Sequence, residues 1–315
     1  MTLERPLVSV LTPAYNHATV IGHAIESVLA QTFTAWEMLV VDDGSNDATV
    51  DVVRSYDDPR IVCIEQPHVG IWKLSETYAR AVARARGELL AMLDGDDWWP
   101  ENKLALQVPL FAAAAVAMTY GSVAVVDERD GLVVNARPPR EALGTLDGAA
   151  LARMMLHTKF SPHSVTVMLR RDVLTGCGGF VQPDYLPLAD YPTWMTIAPG
   201  RKVAGIDAVL GYYRVHPQSV CRTLTPEVER GQFRFFADYL ASTPPASLGM
   251  TAAEAAELRK AIIADGDHVR GVRAAEAGDF RAAREAFRAA IRNGGTKRRV
   301  KSLGRLAQAL IRSWC

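Results

Sequence analysis

Three short apolar runs in the first hundred residues each end in a polar loop, and this pattern restricts the fold most tightly. Val8-Ser9-Val10-Leu11 leads into Thr12-Pro13-Ala14-Tyr15-Asn16. Met38-Leu39-Val40-Val41 leads into Asp42-Asp43-Gly44-Ser45, and Leu89-Leu90-Ala91-Met92-Leu93 into Asp94-Gly95-Asp96-Asp97. Runs this short and this rich in Val and Leu suit strands buried on both faces of a parallel sheet. In open α/β sheets, ligands bind outside the carboxyl ends of the strands. The three polar loops are therefore expected at one rim, and five of their residues are aspartates. Carboxylates held so close repel one another unless a cation sits among them. A hard divalent metal with a phosphate-bearing ligand is the natural occupant.

The intervening segments read as helices. Residues 19–32 carry one apolar stripe (Ile21, Ala24, Ile25, Val28, Leu29). Asn46 or Asp47 can cap a second helix bearing Val50, Val53 and Tyr56, and residues 60–65 form a short strand. Ser75 can cap a helix running to Arg86, with Ala79, Val82 and Ala83 inward and Gly87 as its stop. Alternating strands and helices of this kind build a doubly wound α/β sheet. Beyond Trp98 the pattern predicts a helix over 103–115, a strand over 118–126 with a turn at Asp130-Gly131, and a further strand. A strand over 164–170, a tight turn at Gly176, Gly178 and Gly179, and a strand pair over 203–213 follow. From Pro226 the chain turns to Ala-, Arg- and Glu-rich helices divided by Thr243-Pro244-Pro245, which places a domain boundary near residue 222. The expected organisation is an α/β domain over 1–222, with a nucleotide-binding half (1–100) and an acceptor half (101–222), and a helical region over 223–315.

Composition excludes some functions. The chain has 35 basic and 35 acidic residues, a balance that argues against a protein built to coat nucleic acid. Four cysteines without C-x-x-C spacing argue against a zinc site or disulfide framework and fit a cytoplasmic protein. The apolar stretch at 7–11 is too short for a signal sequence, and Pro13 follows it. The longest apolar run, 108–120, is shorter than the ~20 residues a spanning helix needs, which argues against a pore. Residues 275–290 look like one tetratricopeptide-type hairpin. A lone repeat cannot bury its own face, so a packed cap is favoured over a docking arm. In 297–315, Val300, Leu303, Leu306, Leu310, Ile311 and Trp314 share one helical face among six basic residues. Such a helix either lies on the inner face of an anionic membrane as a peripheral contact or packs on the protein.

The third loop carries the most chemistry. Side chains two apart on extended chain point the same way, so Asp94 and Asp96 reach a common region. Gly95 is read as clearing space for a ligand. Oxygen donors of this kind hold Mg²⁺ or Mn²⁺, which in turn bridges phosphate oxygens.

These first hundred residues resemble the nucleotide-binding half of family 2 glycosyltransferases, which have the GT-A fold. The resemblance rests on the three loops above, on Ala30-Gln31-Thr32-Phe33, on Asp42-Asp43-Gly44-Ser45-Asn46-Asp47, and on Ala85-Arg86-Gly87-Glu88. It continues more weakly through Cys177-Gly178-Gly179-Phe180, Asp190-Tyr191, Trp194 and Tyr213-Arg214-Val215-His216-Pro217, covering residues 6–220 but not the helical tail. It implies a Rossmann-like, mostly parallel sheet flanked by helices, with an all-α C-terminal extension. It implies inverting transfer of one sugar from a nucleotide-diphosphate sugar (UDP, dTDP or GDP) to a hydroxyl of a glycan, lipid-linked or small-molecule acceptor. Thr12, Pro13, Tyr15 and Asn16 would border the base and ribose. Asp42 would accept a hydrogen bond from the base, Asp94 would face the ribose or the metal, and Asp43 and Gly95 would belong to the same nucleotide-sugar site. Asp96 and His216 would hold Mn²⁺ or Mg²⁺, and Asp190 would be the catalytic base.

Plainer roles stay open. Asp42-Asp43 and Asp190 could simply cap helices, and His216 could be structural. Arg214 is read as structural or phosphate-facing, and Lys73 as a residue within reach of phosphates. Ala189 stands where the family often has Glu, residues 70–77 are bulkier than usual, and no Gln-x-x-Arg-Trp segment exists, which argues against processive synthases. A nucleotide-sugar-forming nucleotidyltransferase would need a Gly- and basic-rich loop early in the chain, and residues 12–17 contain no Gly, Lys or Arg. A non-catalytic scaffold that keeps the nucleotide pocket is the other alternative.

Overall fold

The apolar runs become strands because they lose almost all their surface. Val8, Val10 and Leu11, Met38, Val40 and Val41, and Leu90, Ala91 and Met92 are all fully buried. Each such Val or Leu contributes about 1.5–3 kcal/mol by leaving water. In the computed structural model, which describes residues 6–129, 131, 133–295 and 300–306, they form β1 (Val8–Ala14), β2 (Trp36–Asp42) and β4 (Leu89–Met92). With β3 (Ile61–Glu65) these strands run parallel in the spatial order β3-β2-β1-β4. The chain steps outward through β2 and β3, then returns across β1 to β4, so the carboxyl ends of β1, β2 and β4 surround a topological switch point.

The sheet continues through β5 (Val116–Asp127), β7 (Gly144–Asp147), β8 (Met168–Arg170) and β9 (Lys202–Val215) in the order β4-β8-β5-β9-β7, with β6 (Val133–Ala136) paired to β5. β8 is antiparallel to both β4 and β5, whereas β5 and β9 are parallel. The result is a mixed, mostly parallel nine-stranded sheet among the described residues. The expected strand pair over 203–213 is instead the single long strand β9, which absorbs register shifts near Gly121 and Ser122. Its glycines mark close approaches. A Cβ on Gly205 would sit 2.0 Å from the Ala142 carbonyl oxygen, and one on Gly211 2.8 Å from the Val165 side chain.

Helices α1 (Ile21–Leu29), α2 (Thr49–Arg54) and α3 (Leu74–Arg84) connect the parallel strands. Three local expectations change. Ser75 lies inside α3 rather than capping it, and the helix turns Thr77, Tyr78 and Ala81 inward while Ala79 and Ala83 are exposed. The helix expected over 103–115 is α4 (Lys103–Gln107) followed by a 3₁₀ turn that contains Pro109, which lacks the amide an α-helix needs. Gly87 has no left-handed backbone, and its missing Cβ admits β1 instead: a Cβ there would lie 2.6 Å from the Ser9 amide nitrogen. The same corner buries Glu37, whose carboxylate accepts from Ser9 Oγ (2.7 Å), the Arg86 amide (2.6 Å) and Arg86 Nε (2.7 Å). The Arg-Gly pair is thus a clamp holding the start of β4 against β1.

Helices α5 (Gly148–Leu156), α6 (Arg171–Gly176) and α7 (Asp190–Ile197) complete this unit, and α8 (Val220–Thr223), α9 (Thr225–Ser242), α10 (Ala252–Glu276) and α11 (Phe280–Asn293) follow. Contacts divide the chain into Met1–Asp184 with Leu188–Ser219, and Tyr185–Pro187 with Val220–Cys315. In the second unit a full capping box (Thr251, Glu254) starts α10 and Asp279 caps α11. The two pack as a hairpin around Phe287, tightly enough that a Cβ on Gly271 would lie 2.7 Å from its ring. Residues 300–306 are helical. They place Ser302 against His268 (2.8 Å) and Leu306 on the Phe287 cluster, while Val300 and Leu303 face outward. The remainder of the basic segment expected over 297–315 lies outside the described residues. No described helix is long and apolar enough to cross a membrane.

Candidate active site

The rim at the switch point is assembled loop by loop. After β1 the chain turns through Asn16, whose left-handed backbone (φ 56°) is one asparagine tolerates. Asn16 donates its amide to Ser45 Oγ (2.8 Å) and accepts from the Asn46 amide (2.9 Å), stapling the first loop to the second. Asp47 anchors the same seam. It accepts from the Ala18 amide (3.0 Å) and from Thr49 at the start of α2.

Within the second loop the two aspartates have different tasks. Asp43 is saturated: its carboxylate accepts from Gln66 Nε2 (2.6 Å) and from the amides of Val69 (2.9 Å) and Gly70 (2.9 Å), with His68 Nδ1 at 3.0 Å. It therefore shapes the 66–70 loop, whose His68 ring stacks on Tyr15 at 4.2 Å between centroids. Asp42 is buried and accepts from the Ser45 amide through one oxygen (3.0 Å), while its Oδ1 has no partner. Thr12 Oγ1, on the adjacent strand, is also buried without a partner. Unmet buried acceptors cost about 1–3 kcal/mol each, so the pair leaves hydrogen-bonding capacity open at this rim. Pro13 contributes its carbonyl, which accepts from the Gly95 amide (3.1 Å).

The third loop is the electrostatic centre. Asp94 accepts from the buried Tyr78 hydroxyl (2.7 Å). Burial first, and then the charge of Asp96, push its proton affinity up to about 7. Asp96 lies 3.2 Å from His216 Nε2. Burial raises its affinity, but the His216 hydrogen bond and the His17 ring outweigh that and hold it below the usual carboxylate range. The same contact raises His216. Asp97 is buried and accepts from the Arg214 amide (2.9 Å), so it orders the loop. Arg214 also donates Nε to the Asp96 carbonyl (2.7 Å), pairs with Glu128 (2.9 Å) and covers the Trp98 ring, contacts that order the loop. Lys73 pairs with Glu76 (3.2 Å) on an exposed surface. Gly95 sits at a close approach between loops. A Cβ there would meet His17 Nδ1 at 2.7 Å and the Pro13 carbonyl at 3.1 Å, so the glycine lets the first and third loops touch.

Asp190 is the first residue of α7, with Pro192 in its opening turn. Its Oδ1 is buried without a partner, and burial pushes its proton affinity up to about 6. Its charge reaches both Asp94 and Tyr78, so the base expected from sequence and the third loop belong to one site. An aromatic chain links them. Tyr78 stacks on Phe180 at 4.5 Å, and Phe180 meets Trp194 of α7 edge-on at 6.5 Å.

The sequence reading missed His17 and Tyr78. His17 is held by its amide to Thr49 Oγ1 (2.8 Å), and burial lowers its proton affinity beside Asp96 and His216. A histidine directly after the first polar loop was an available signal. Tyr78 offered none, because its partner lies sixteen residues on.

Among the described residues no three His, Cys, Asp or Glu side chains form a closed cation cage. Asp96 and His216 nonetheless converge as two donors beside further carboxylates. That fits Mg²⁺ or Mn²⁺, which typically takes one or two protein ligands and completes its shell with substrate phosphates and water.

The family model for glycosyl transferase family 2 matches residues 9–176. The Escherichia coli UDP-Glc:alpha-D-GlcNAc-diphosphoundecaprenol beta-1,3-glucosyltransferase WfaP is 30% identical over 227 residues, 71% of this chain and 83% of its own. The putative teichuronic acid biosynthesis glycosyltransferase TuaG of Bacillus subtilis (strain 168) is 31% identical over 229 residues, 70% of this chain and 83% of its own. Among solved structures, S. aureus TarS 1-349 in complex with UDP-GlcNAc superposes with a TM-score of 0.68 at 16% identity, covering 96% of this chain and 90% of that one. The mannosyltransferase PcManGT from Pyrobaculum calidifontis, in complex with GDP-Man and Mn²⁺, gives 0.56 at 22% identity, covering 98% and 86%. At these identities the structural likeness is one of fold. With the family model spanning more than half of the sequence, and its strands and loops built as described, the chain belongs to glycosyltransferase family 2, enzymes of the GT-A fold that transfer sugars from nucleotide donors.

Proposed function

We propose that the protein transfers one sugar, with inversion, from a uridine diphosphate sugar to a hydroxyl of a lipid-linked or cell-surface glycan acceptor, using Mn²⁺ or Mg²⁺ held by Asp96 and His216. The observation that carries this reading is Asp190: a buried carboxylate with one unpartnered oxygen and a proton affinity near 6, in the same site as Asp94 and the metal-binding pair. A sugar hydroxyl is a poor nucleophile until a base takes its proton in the transition state. In the proposed step Asp190 accepts that proton as the acceptor oxygen bonds to the anomeric carbon. The bond from that carbon to the diphosphate oxygen breaks on the opposite face. When bound, the cation stabilises negative charge on the departing diphosphate.

Asp42 supports the choice of uracil. Its unpartnered Oδ1 is an acceptor, matching the ring N–H that uracil shares with thymine and guanine and that cytosine lacks, so the choice among those three rests on the named relatives. Thr12 and the stacked Tyr15–His68 pair would flank the base. WfaP is named for a UDP-glucose donor and a diphosphoundecaprenol acceptor, and TarS was solved with UDP-GlcNAc. Both are consistent with this assignment. A nucleotidyltransferase is disfavoured by a first loop without Gly, Lys or Arg. A non-catalytic scaffold is disfavoured by the raised affinity at Asp190, since a plain helix cap gains nothing from being hard to ionise.

The pH profile tests the base. Asp190 works only when ionised, and its affinity lies above the ordinary 3.8, near 6. Log kcat/KM is therefore expected to climb with a slope near one up to about pH 6 and then level off. A profile already flat down to pH 5 would place the base elsewhere.

A further inference from the structure

The charge of this chain is divided, although its total is zero. Residues 280–315 contain ten lysines and arginines and one acid, Glu285, a net of +9. Residues 1–279 therefore hold 25 basic and 34 acidic residues, a net of −9. So sharp a split is not needed for folding, and the described part of the tail carries it on one helix face.

In α11 the inward positions are Ala283, Ala286, Phe287 and Ala290, which are buried against the rest of the helical unit. The outward side carries arginines at 281, 284, 288 and 292, spaced three to four residues apart and so in one ridge. Arg281 is joined to Glu285 at 3.5 Å. Arg284 and Arg288 have no acidic partner among the described residues. The next helical stretch, 300–306, buries Ser302 and turns Leu306 inward, yet leaves Val300 66% and Leu303 52% exposed beside Lys301 and Arg305. Two large aliphatic side chains in water, among cations, gain nothing from packing on this unit.

We propose that α11 and the helical residues 300–306 form a docking surface for anionic phospholipid bilayers, the arginine ridge meeting headgroup phosphates and Val300 and Leu303 entering the boundary with the acyl chains. Charge complementarity selects an anionic partner, and the exposed aliphatics select lipid over nucleic acid. A surface for single-stranded nucleic acid would interleave aromatic stacking platforms with the cations, and the exposed face of α11 has none; a duplex offers no apolar layer for Val300 and Leu303. Interfacial helices combine a basic face with aliphatic residues in this way. The inference goes beyond the transfer reaction and does not depend on which donor or acceptor is used.

The test is sedimentation of the full chain with vesicles of phosphatidylcholine alone and with about one third phosphatidylglycerol. The protein is expected to pellet with the anionic vesicles, to ignore the neutral ones, and to be largely released in about 0.5 M salt. The double variant Arg284→Glu/Arg288→Glu should reduce anionic partitioning at least about tenfold while keeping its melting temperature and its turnover with a soluble acceptor. Val300→Ser/Leu303→Ser leaves the charge unchanged and should also weaken vesicle binding, without weakening any residual affinity for duplex RNA. Equal binding to both vesicle types, indifference to both double variants, or tighter binding to RNA than to anionic vesicles would overturn the proposal.

Discussion

Asp190→Asn is expected to lower kcat at least about a thousandfold while UDP still raises the melting temperature of the variant as it does that of the parent. Asparagine keeps the shape of the side chain but cannot accept the acceptor's proton, so the transition state loses its base. The proposed nucleotide contacts lie elsewhere, on the loops after β1 and β2, and are untouched by the change. A stability control sharpens the result. A carboxyl whose affinity rises from 3.8 to about 6 on folding keeps its proton in the native state where the unfolded chain would release it. The native state binds more protons than the unfolded one in that window, so its stability falls as pH rises through it. Above pH 6 the ionised form costs about 3 kcal/mol. Asparagine removes this cost, so the inactive variant should melt no lower than the parent at pH 7.5. If the variant instead melts much lower, its lost activity reports misfolding. If turnover survives, Asp190 is not the base.

Asp96→Asn is expected to reduce kcat/KM by about two to four orders of magnitude, with most of the loss not restored by saturating Mn²⁺. Asp96 is the ionised member of its cluster, held so by His216 and His17 while its neighbours Asp94 and Asp97 are pushed toward protonation. Neutralising it removes the charge that best attracts a cation and leaves His216 facing an amide. The fold should survive, because Asp97 and Arg214, which order the loop, are unchanged. Steady-state kinetics across a manganese series check this. A variant with parental kcat/KM would remove Asp96 from the metal-binding role.

Much of the site was legible because strand periodicity and loop polarity are local properties. Val8, Met38 and Leu89 begin buried runs, each run ends in its polar loop, and the parallel direction of β1 to β4 follows from the crossover helices between them. Asp94, Asp96, His216 and Asp190 could be named from motifs, and the fold brings them to one rim. What was not legible depends on distant partners. The inward turn of α3 is set by Tyr78, whose hydroxyl needs Asp94, so a count of aliphatic residues chose Ala79 and Ala83 instead. Gly87 looks like a helix stop in the sequence, but its missing Cβ admits another segment of chain, as do those of Gly95, Gly205 and Gly211. Asp43 resembles its neighbour Asp42 in sequence, and only the folded 66–70 loop separates the saturated carboxylate from the one with an open oxygen. Such contacts are tertiary, and no local pattern encodes them.

The central claim is that this acidic rim binds a nucleoside diphosphate together with a divalent ion. A calorimetric titration of UDP into the full chain, with Mn²⁺ and again with EDTA, tests it most directly. The account predicts one site whose affinity falls at least about tenfold when the metal is chelated, a difference of about 1.4 kcal/mol or more. UDP binding of equal affinity in EDTA, or no binding in either condition, would contradict it.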